Sequence, residues 1–407
     1  MSPKRALFAV LLLAFVLRLG WVLHERDHAL YGDEPSYDKI ALNLAQGYGF
    51  QSGDATEQRR PTAMRGPAYL VFLATFYRVL GHHSLPPLVG QALLDVLSCW
   101  ITYQLGMRWF RREVPAVIAT GLVAVYPPFI FSTAQLISES FTLATVLLTV
   151  LAFTEYLERP RLRSLLLTGL ALGVCTLGKP QLGAAGLVFG FAAVPRLGWQ
   201  RAGRAAVVIT AVVAAALSPW IVRNARVFHT FVPGVTQGGI SFWGGTAPFE
   251  NRAVGGLAEP WVPDSLRKAL SRMDEIELSR WFYRDGVRII REDPARYARL
   301  AARKVFRLWF NLLFDDPPSR GSLLLAALHL LLFALAGLGM VRAGADPVAT
   351  RLVLALVAYW TVLHVPFVAQ VRYALPCLPL IFCFTAAGLC EFLPSGRHPT
   401  PTAAVAR

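Results

Sequence analysis

Long apolar stretches are the feature that most limits how this chain can fold. A helix needs about 20 such residues to cross the ~30 Å hydrocarbon core of a membrane, and stretches near that length recur along nearly all of the 407-residue sequence. Only 16% of the residues are charged and 55% are hydrophobic, which is typical of integral membrane proteins. The sequence therefore predicts an all-α membrane protein with about ten spans, at 6–23, 88–110, 114–133, 137–157, 162–177, 182–197, 205–222, 323–341, 352–368 and 374–393.

The positive charge of the chain orients it in a membrane and is not a sign of nucleic-acid binding. The formal net charge is +15, and arginines cluster in short loops between apolar stretches, which favours the cytoplasmic side. This rule places both termini in the cytoplasm and predicts a multi-pass protein of the inner (plasma) membrane. The outer loop 24–87, the turns near Glu139, Lys179 and Arg372, and the segment 223–322 then face the extracytoplasmic side.

The chain divides into four regions on this topology. Residues 1–222 form a first transmembrane half that includes the outer loop 24–87, and residues 223–322 form an outer-face segment. Residues 323–393 form the C-terminal transmembrane helices, and a cytoplasmic tail, 394–407, follows. The first span begins like a signal peptide, but no small-residue cleavage site follows it, so we expect it to be retained. The five cysteines lie inside apolar stretches without metal-site spacing and are interpreted as core residues.

Two apolar segments do not fit the pattern of spans. Segment 66–81 would cover about 24 Å as a helix, so we expect it at the membrane interface. Segment 297–314 has arginines at steps of four from Arg299 beside an apolar stripe, which predicts a basic amphipathic helix on the outer surface. The alternative is that it crosses the membrane, but this would move the basic loop 342–351 outside, against the charge rule.

The stretch GDEPSYDKIALNLAQGYGF places two acids directly after the first span. Asp33 or Glu34 can cap a short helix that has Pro35 in its first turn, Tyr37 on its apolar face and Gly47 as its stop. If only helix formation is considered, the acids cap this helix and interact favourably with the positive end of its dipole.

The motifs taken in order resemble a known family. GDEPSYDKIALNLAQGYGF, RGPAYLVFLATFYRVLG, YPPFIFSTAQLISESF, SPWIVRNARVFHTFVP and QVRYALPCLPLIFCFTAAGL resemble landmarks of the bacterial GT-C glycosyltransferases related to protein O-mannosyltransferases and lipid A aminoarabinose transferases. The resemblance extends to Leu393. The first motif is specific, whereas the later ones are individually weak. One departure is Gly66, which stands where the family usually has the first of two prolines and puts the geometry of that loop in question.

The resemblance implies a fold and an activity. The fold is a GT-C type bundle of about ten transmembrane helices, with amphipathic helices on the outer face and the segment 223–322 as an outer cap. The activity is transfer of a monosaccharide, a hexose or a pentose, from a polyprenyl-phosphate carrier to an acceptor hydroxyl with inversion. The implied partners are the lipid-linked sugar donor, membrane lipids and an acceptor glycan, lipid or protein.

The resemblance also assigns roles to acidic residues. Asp33 becomes the base that takes the acceptor proton, and burial beside a second carboxylate is expected to raise its pKa. Glu34 has three open roles, namely orienting the loop, holding a divalent metal ion, or charging the helix start. Glu139 is expected in the site because carboxylates are costly at membrane depth, the alternative being an ordinary interfacial acid. Tyr37 is a further candidate.

Four basic residues placed outside are candidates for binding the donor phosphate: Arg65, Lys179, Arg223 and Arg372. Arg372 is favoured because, with Tyr373, it matches the Arg-Tyr landmark of the family. Lys179 and Arg223 could equally be interfacial anchors.

Other interpretations remain open at this level. A transporter or flippase of lipid-linked sugars is disfavoured because the charges lie in outer loops and no inverted repeat is detectable. A ligase or polymerase that moves whole glycans is possible within the same fold. The sugar and the acceptor are left undetermined, and no chemistry is assigned to His82, His83 or His364.

Overall fold

The computed structural model describes residues 2–53, 58–247, 262–310 and 320–393. The predicted tail 394–407 and the end of the amphipathic segment, 311–314, lie outside these ranges. Regular structure in the described chain is helical apart from two short antiparallel strands. The elements are α1 (Pro3–Glu25), α2 (Glu34–Ala45), β1 (Gln51–Ser52), β2 (Arg60–Pro61), α3 (Pro67–Leu80), α4 (Leu85–Phe110), α5 (Glu113–Val125), α6 (Pro127–Thr133), α7 (Glu139–Glu158), α8 (Leu162–Gly178), a 3₁₀ turn (Pro180–Ala184), α9 (Ala185–Phe228), α10 (Gly238–Gly245), α11 (Asp264–Leu270), α12 (Glu275–Glu292), α13 (Pro294–Phe310), α14 (Arg320–Arg342), α15 (Pro347–His364), a second 3₁₀ turn (Val371–Cys377) and α16 (Leu378–Cys390).

The helices have the lengths and compositions of membrane spans. Within the described residues, seven helical stretches are long and apolar enough to cross a membrane, and α5 with α6, which meet at a 51° bend, would make an eighth. α9 counts as one stretch, but its backbone turns at Gly198 (φ 74°) and its two halves pack against each other, with Gly190 facing Ala206. The all-α membrane fold is confirmed, whereas the total of ten spans stays a prediction.

The centre of the bundle depends on close contact between two helix backbones. α16 is buried along nearly its whole length and packs against α14. A Cβ added to Gly339 of α14 would lie 2.1 Å from the carbonyl oxygen of Phe384, and one added to Gly388 would lie 2.0 Å from that of Leu335. Small residues at such crossings let helices approach closely in membranes, where van der Waals packing drives association.

Gly339→Ala is therefore expected to lower the free energy of unfolding by about 1–3 kcal/mol, the usual cost of overpacking a tight core. The matched control is Gly337→Ala on the same helix, because no other atom lies within 4 Å of a Cβ built at Gly337. Thermal unfolding in detergent should give a lower melting temperature for Gly339→Ala only. Equal melting temperatures in the two variants would contradict this packing.

A buried arginine stabilises the bend between α5 and α6. Pro127 opens α6 and has no amide hydrogen to donate, so carbonyl oxygens at the end of α5 lack their usual helical partners. Arg18 of α1, which is fully buried, donates to the carbonyl oxygens of Val123 at 3.0 Å and Ala124 at 2.9 Å. A charged side chain at this depth is costly without such partners.

The charge of Arg18 is balanced by Asp95 of α4. The Arg18 Nε lies 3.4 Å from a carboxylate oxygen of Asp95, and the same carboxylate accepts hydrogen bonds from Thr133 and Ser140. Thr133 ends α6 and Ser140 lies in the first turn of α7. The network thus fixes both ends of the segment 134–138 and with it the position of Glu139.

The helix α2 begins and ends as the sequence predicts. α2 starts directly after Asp33, has Pro35 in its first turn, and is followed by Gly47 with a φ of 88°. Tyr37 and Ile40 lie on its buried face. The side chain of Asp33 makes no capping hydrogen bond, so the interpretation that this acid only caps the helix is wrong.

The described part of the segment between α9 and α14 reaches the same end of the bundle as α3, since Glu275 of α12 accepts a hydrogen bond from the amide of Ala63, shortly before α3. α13 is not among the helices that are long and apolar enough to span. It exposes Arg299 and Arg303 and buries Trp309, whose Nε1 donates to the hydroxyl of Thr361 in α15 at 2.9 Å. The described part of α13 therefore has the amphipathic character that the sequence predicts.

Candidate active site

One cavity of about 640 Å³ collects helix ends that are distant in the sequence. The starts of α2, α3 and α7 and the ends of α8 and α15 line one side of it, and the loop 230–237 with α12 lines the other. Most of the residues predicted from sequence lie in its wall, namely Asp33, Tyr37, Arg65, Glu139, Lys179, Arg372 and Tyr373.

Both carboxylate oxygens of Asp33 are paired with arginines. Its Oδ1 accepts a hydrogen bond from Nη2 of Arg65 at 2.8 Å, and its Oδ2 accepts one from Nη2 of Arg372 at 2.8 Å. Charge-assisted bonds of this kind are short and strong. Each oxygen accepts one of these bonds and keeps a second lone pair.

The two arginines determine the proton affinity of Asp33. Burial alone would raise the pKa of Asp33, but the charges of Arg65 and Arg372 outweigh burial and lower it to about 2. The expected rise caused by a second carboxylate is therefore wrong for this state. Because the pKa in the fold lies below the ordinary value of 3.8, ionised Asp33 stabilises the fold above about pH 4 and loses this effect as the pH falls toward 2.

Arg65 is held on several sides. Besides its bond to Asp33, its Nε donates to the hydroxyl of Ser36 at 3.1 Å, and its guanidinium carbon lies 4.7 Å from the ring centroid of Tyr37. Tyr37 in turn donates a long hydrogen bond of 3.4 Å to Ser138, just before α7. These contacts orient Arg65 toward Asp33.

Gly66, the departure from the family pattern, allows two helices to meet beside the cavity. A Cβ on Gly66 would lie 2.4 Å from the carbonyl oxygen of Leu177 and 2.6 Å from that of Gly178. The start of α3 therefore contacts the end of α8 through backbone atoms. This contact brings Arg65 and Lys179, the residues that flank it, to the same cavity.

Arg372 and Lys179 each have N–H groups that make no hydrogen bond to the described residues. The Nε of Arg372 lies 3.9 Å from a carboxylate oxygen of Glu139 and is buried without a hydrogen bond. The ammonium of Lys179 lies 5.8 Å from the ring centroid of Tyr373 and makes no hydrogen bond to the described residues. With Arg65 and Asp33 these are three cations and two carboxylates, and Arg280 of α12 also lines the cavity, so the lining carries a net positive charge.

Glu34 does not line the cavity. It is buried and accepts hydrogen bonds from the backbone amides of Leu136 at 2.8 Å and Tyr31 at 3.2 Å. Its carboxylate also contacts Nε2 of His28 at 3.0 Å. The described residues contain no group of three or more His, Cys, Asp or Glu that could hold a metal ion, and the metal-binding role of Glu34 stays a prediction.

Arg223 also lies outside the cavity wall. Its guanidinium donates to the carbonyl oxygens of Thr62 at 2.8 Å and Phe50 at 2.9 Å. Both carbonyls flank the β1–β2 hairpin, so Arg223 ties α9 to the first outer loop.

Comparisons with known proteins agree with this architecture. Residues 64–222 match the family described as dolichyl-phosphate-mannose-protein mannosyltransferase. The apo oligosaccharyltransferase of Archaeoglobus fulgidus has a similar structure, with a TM-score of 0.60 at 17% sequence identity over 96% of this chain and 50% of that chain. The chain has the GT-C glycosyltransferase fold.

The comparison with solved structures also found two further matches at low sequence identity. The oligosaccharyltransferase AglB of Archaeoglobus fulgidus, in complex with an inhibitory peptide and a dolichol-phosphate, has a TM-score of 0.57 at 16% identity, covering 95% of this chain and 50% of that chain. ArnT from Cupriavidus metallidurans in the apo state has a TM-score of 0.42 at 14% identity, over 94% and 75%. This chain spans about half the length of the archaeal enzymes. No curated protein matches it.

The cavity wall also contains residues that the sequence motifs did not predict to be in the site. Trp360 and His364 of α15 line it, as do Thr142 of α7 and Thr176 of α8. The only signal for His364 is a polar side chain near the end of an apolar helix. Whether such a residue faces lipid, core or cavity depends on the rotation of the helix in the bundle, which its own sequence leaves undetermined.

Proposed function

We propose that this chain transfers a monosaccharide from a polyprenyl-phosphate carrier to an acceptor hydroxyl on the extracytoplasmic face of the membrane. The observation that carries the proposal is the convergence of Arg65, Lys179 and Arg372 with two carboxylates on one cavity of a GT-C fold. A glycosyl polyprenyl phosphate is a phosphodiester with one negative charge, which suits a cavity whose lining carries a net positive charge. A dolichol-phosphate bound to the similarly folded archaeal enzyme supports a lipid carrier of this class.

The donor phosphate binds between Lys179 and Arg372. Lys179 has no side-chain hydrogen bond to the described residues, and the Nε of Arg372 has no hydrogen-bond partner among them, so both residues have hydrogens available for phosphate oxygens. Arg65 stays with Asp33 because Ser36 and Tyr37 hold it there. Arg223 and Glu34 act outside the cavity by fixing the first outer loop.

In the transfer step the acceptor hydroxyl gives its proton to Asp33 as its oxygen attacks the anomeric carbon from the face opposite the phosphate. The bond between the anomeric carbon and the phosphate oxygen breaks, and the polyprenyl phosphate leaves with a second negative charge. One negative charge thus moves from Asp33 to the phosphate. Arg372, which turns from Asp33 to the phosphate when the donor binds, stabilises this developing charge electrostatically.

A shift of Arg372 toward the donor reconciles the low pKa of Asp33 with its role as the base. When Arg372 turns toward the donor phosphate, Asp33 loses one of the two charges that lower its pKa, so its proton affinity rises. The base becomes effective only with the donor in place. Glu139 remains near Arg372 and, with the ring of Tyr373, orients it.

The function is tested in cells that lack the protein. Mass spectrometry of envelope glycolipids, glycans and glycoproteins should find one species that is smaller by a single sugar, and the parental gene should restore that sugar. Loss of a whole glycan would contradict monosaccharide transfer and favour a ligase or polymerase. An unchanged envelope would contradict the proposal altogether.

The proposed topology predicts which loops are accessible from outside. A cysteine at Ser52 should react with an impermeant thiol reagent in intact cells, and one at Ala345 should react only after permeabilisation. Ala345 is chosen over the neighbouring Gly344 because the backbone at Gly344 has a φ of 62°, which would strain a cysteine. The native cysteines are buried, so background labelling is low. Labelling of Ala345→Cys in intact cells would contradict this orientation.

A further inference from the structure

A histidine in the wall of the cavity has no role in the transfer step described above. His364 is the last residue of α15 and is only 6% exposed. Its ring stacks between two aromatic rings that also line the cavity. The ring centroids are 5.5 Å from Trp360, with planes at 23°, and 5.7 Å from Tyr373, with planes at 28°.

Hydrogen bonding fixes the tautomer of His364. Its Nδ1 lies 2.8 Å from the carbonyl oxygen of Trp360, and a carbonyl only accepts hydrogen bonds, so Nδ1 carries a hydrogen. Lys179 and Arg372 also approach the ring of Tyr373, at 5.8 Å and 5.2 Å from its centroid. With the hydrogen on Nδ1, the Nε2 of the neutral ring keeps a free lone pair.

The Nε2 atom of His364 has no hydrogen-bond partner among the described residues. The atom is also not fully sealed from solvent. A neutral imidazole nitrogen that faces a cavity is a pure acceptor. It fits a ligand that brings a hydroxyl, whereas the nearby cations disfavour an ammonium group.

We propose that Nε2 of His364 accepts a hydrogen bond from a hydroxyl of the sugar carried by the donor. The inference rests on the proposed function, since Lys179 and Arg372 mark the phosphate position. The sugar is bonded directly to that phosphate, and His364 stacks on Tyr373, the same ring that Lys179 and Arg372 approach. The isoprenoid tail and the phosphodiester have no hydrogen to donate, so within the donor only the sugar can use this acceptor.

The test compares bare and glycosylated carriers. Binding of undecaprenyl phosphate, and of undecaprenyl phosphate bearing glucose, galactose, mannose or arabinose, is measured on the purified protein in nanodiscs. The parental protein should bind at least one glycosylated carrier more tightly than the bare one. His364→Phe keeps an aromatic ring but removes the acceptor, so it should reduce that preference about tenfold and leave affinity for undecaprenyl phosphate unchanged. His364→Asn, which retains an acceptor oxygen, should restore part of the preference.

The outcomes separate this inference from the function on which it rests. An unchanged preference in His364→Phe, or no preference in the parental protein, would overturn the role of His364. Failure of the parental protein to bind undecaprenyl phosphate would instead overturn the proposed function. If the phenylalanine variant does not fold, carriers whose sugar lacks one hydroxyl at a time are measured on the parental protein. At least one should bind about tenfold more weakly, and uniform affinity across that series would overturn the inference.

Discussion

Asp33→Asn is expected to abolish sugar transfer while binding of the lipid carrier is retained or strengthened. Asparagine cannot accept the acceptor proton, and removal of a general base costs about two to four orders of magnitude in rate. The substitution also removes the negative charge that pairs with Arg65 and Arg372. Both cations are then less neutralised, so undecaprenyl phosphate should bind at least as tightly as to the parental protein.

The measurements are single-turnover transfer from a glycosylated carrier and binding of undecaprenyl phosphate. Asp27→Asn is the matched control, because Asp27 lies in the same outer loop, is 86% exposed and pairs only with its neighbour Arg26 among the described residues. Asp38 is a poor control since it accepts hydrogen bonds from Tyr77 at 2.7 Å and His82 at 2.9 Å. Turnover of Asp33→Asn within about tenfold of the parent would exclude Asp33 as the base.

Arg372→Ala should reduce kcat/KM for the donor by about two to three orders of magnitude, the usual effect of removing one donor that stabilises developing negative charge. The loss has two parts, because the leaving phosphate loses a cation and Glu139 loses its nearest positive charge. Arg372→Lys should recover only part of the activity, since lysine retains the charge without the planar fork that bonds two acceptors.

Arg223→Ala provides the comparison for Arg372. It removes the same charge from the same face of the bundle, but Arg223 donates to backbone carbonyls of the first outer loop. We expect a lower melting temperature and a donor affinity within a few-fold of the parent, because a hydrogen bond from a charged group to a carbonyl contributes about 1.5–3 kcal/mol to stability. Equal losses of donor affinity in the two variants would mean that Arg372 has no special relation to the phosphate.

Sequence patterns predicted the features that depend on neighbouring residues. The apolar stretches predicted a helical membrane protein, and the Asp-Glu-Pro start with Gly47 predicted α2 nearly to its ends. The polar spacing of 297–314 predicted an amphipathic helix, and α13 has that character over its described residues. Ordered motifs also singled out most of the charged residues that line the cavity. Each of these features is set by length, periodicity or local backbone preference, which a linear pattern records.

Only the tertiary structure decided how those residues act on one another. Asp33 and Glu34 are adjacent, yet one lines the cavity and the other turns toward Leu136, because consecutive residues at a helix start point in different directions. Arg372 lies 339 residues beyond Asp33 in the chain and bonds to it at 2.8 Å. The sequence determined that an acid stands at the start of α2. Its pKa depends on the charges that helix packing brings within hydrogen-bond distance, since electrostatic interaction depends on separation in space and not on separation along the chain.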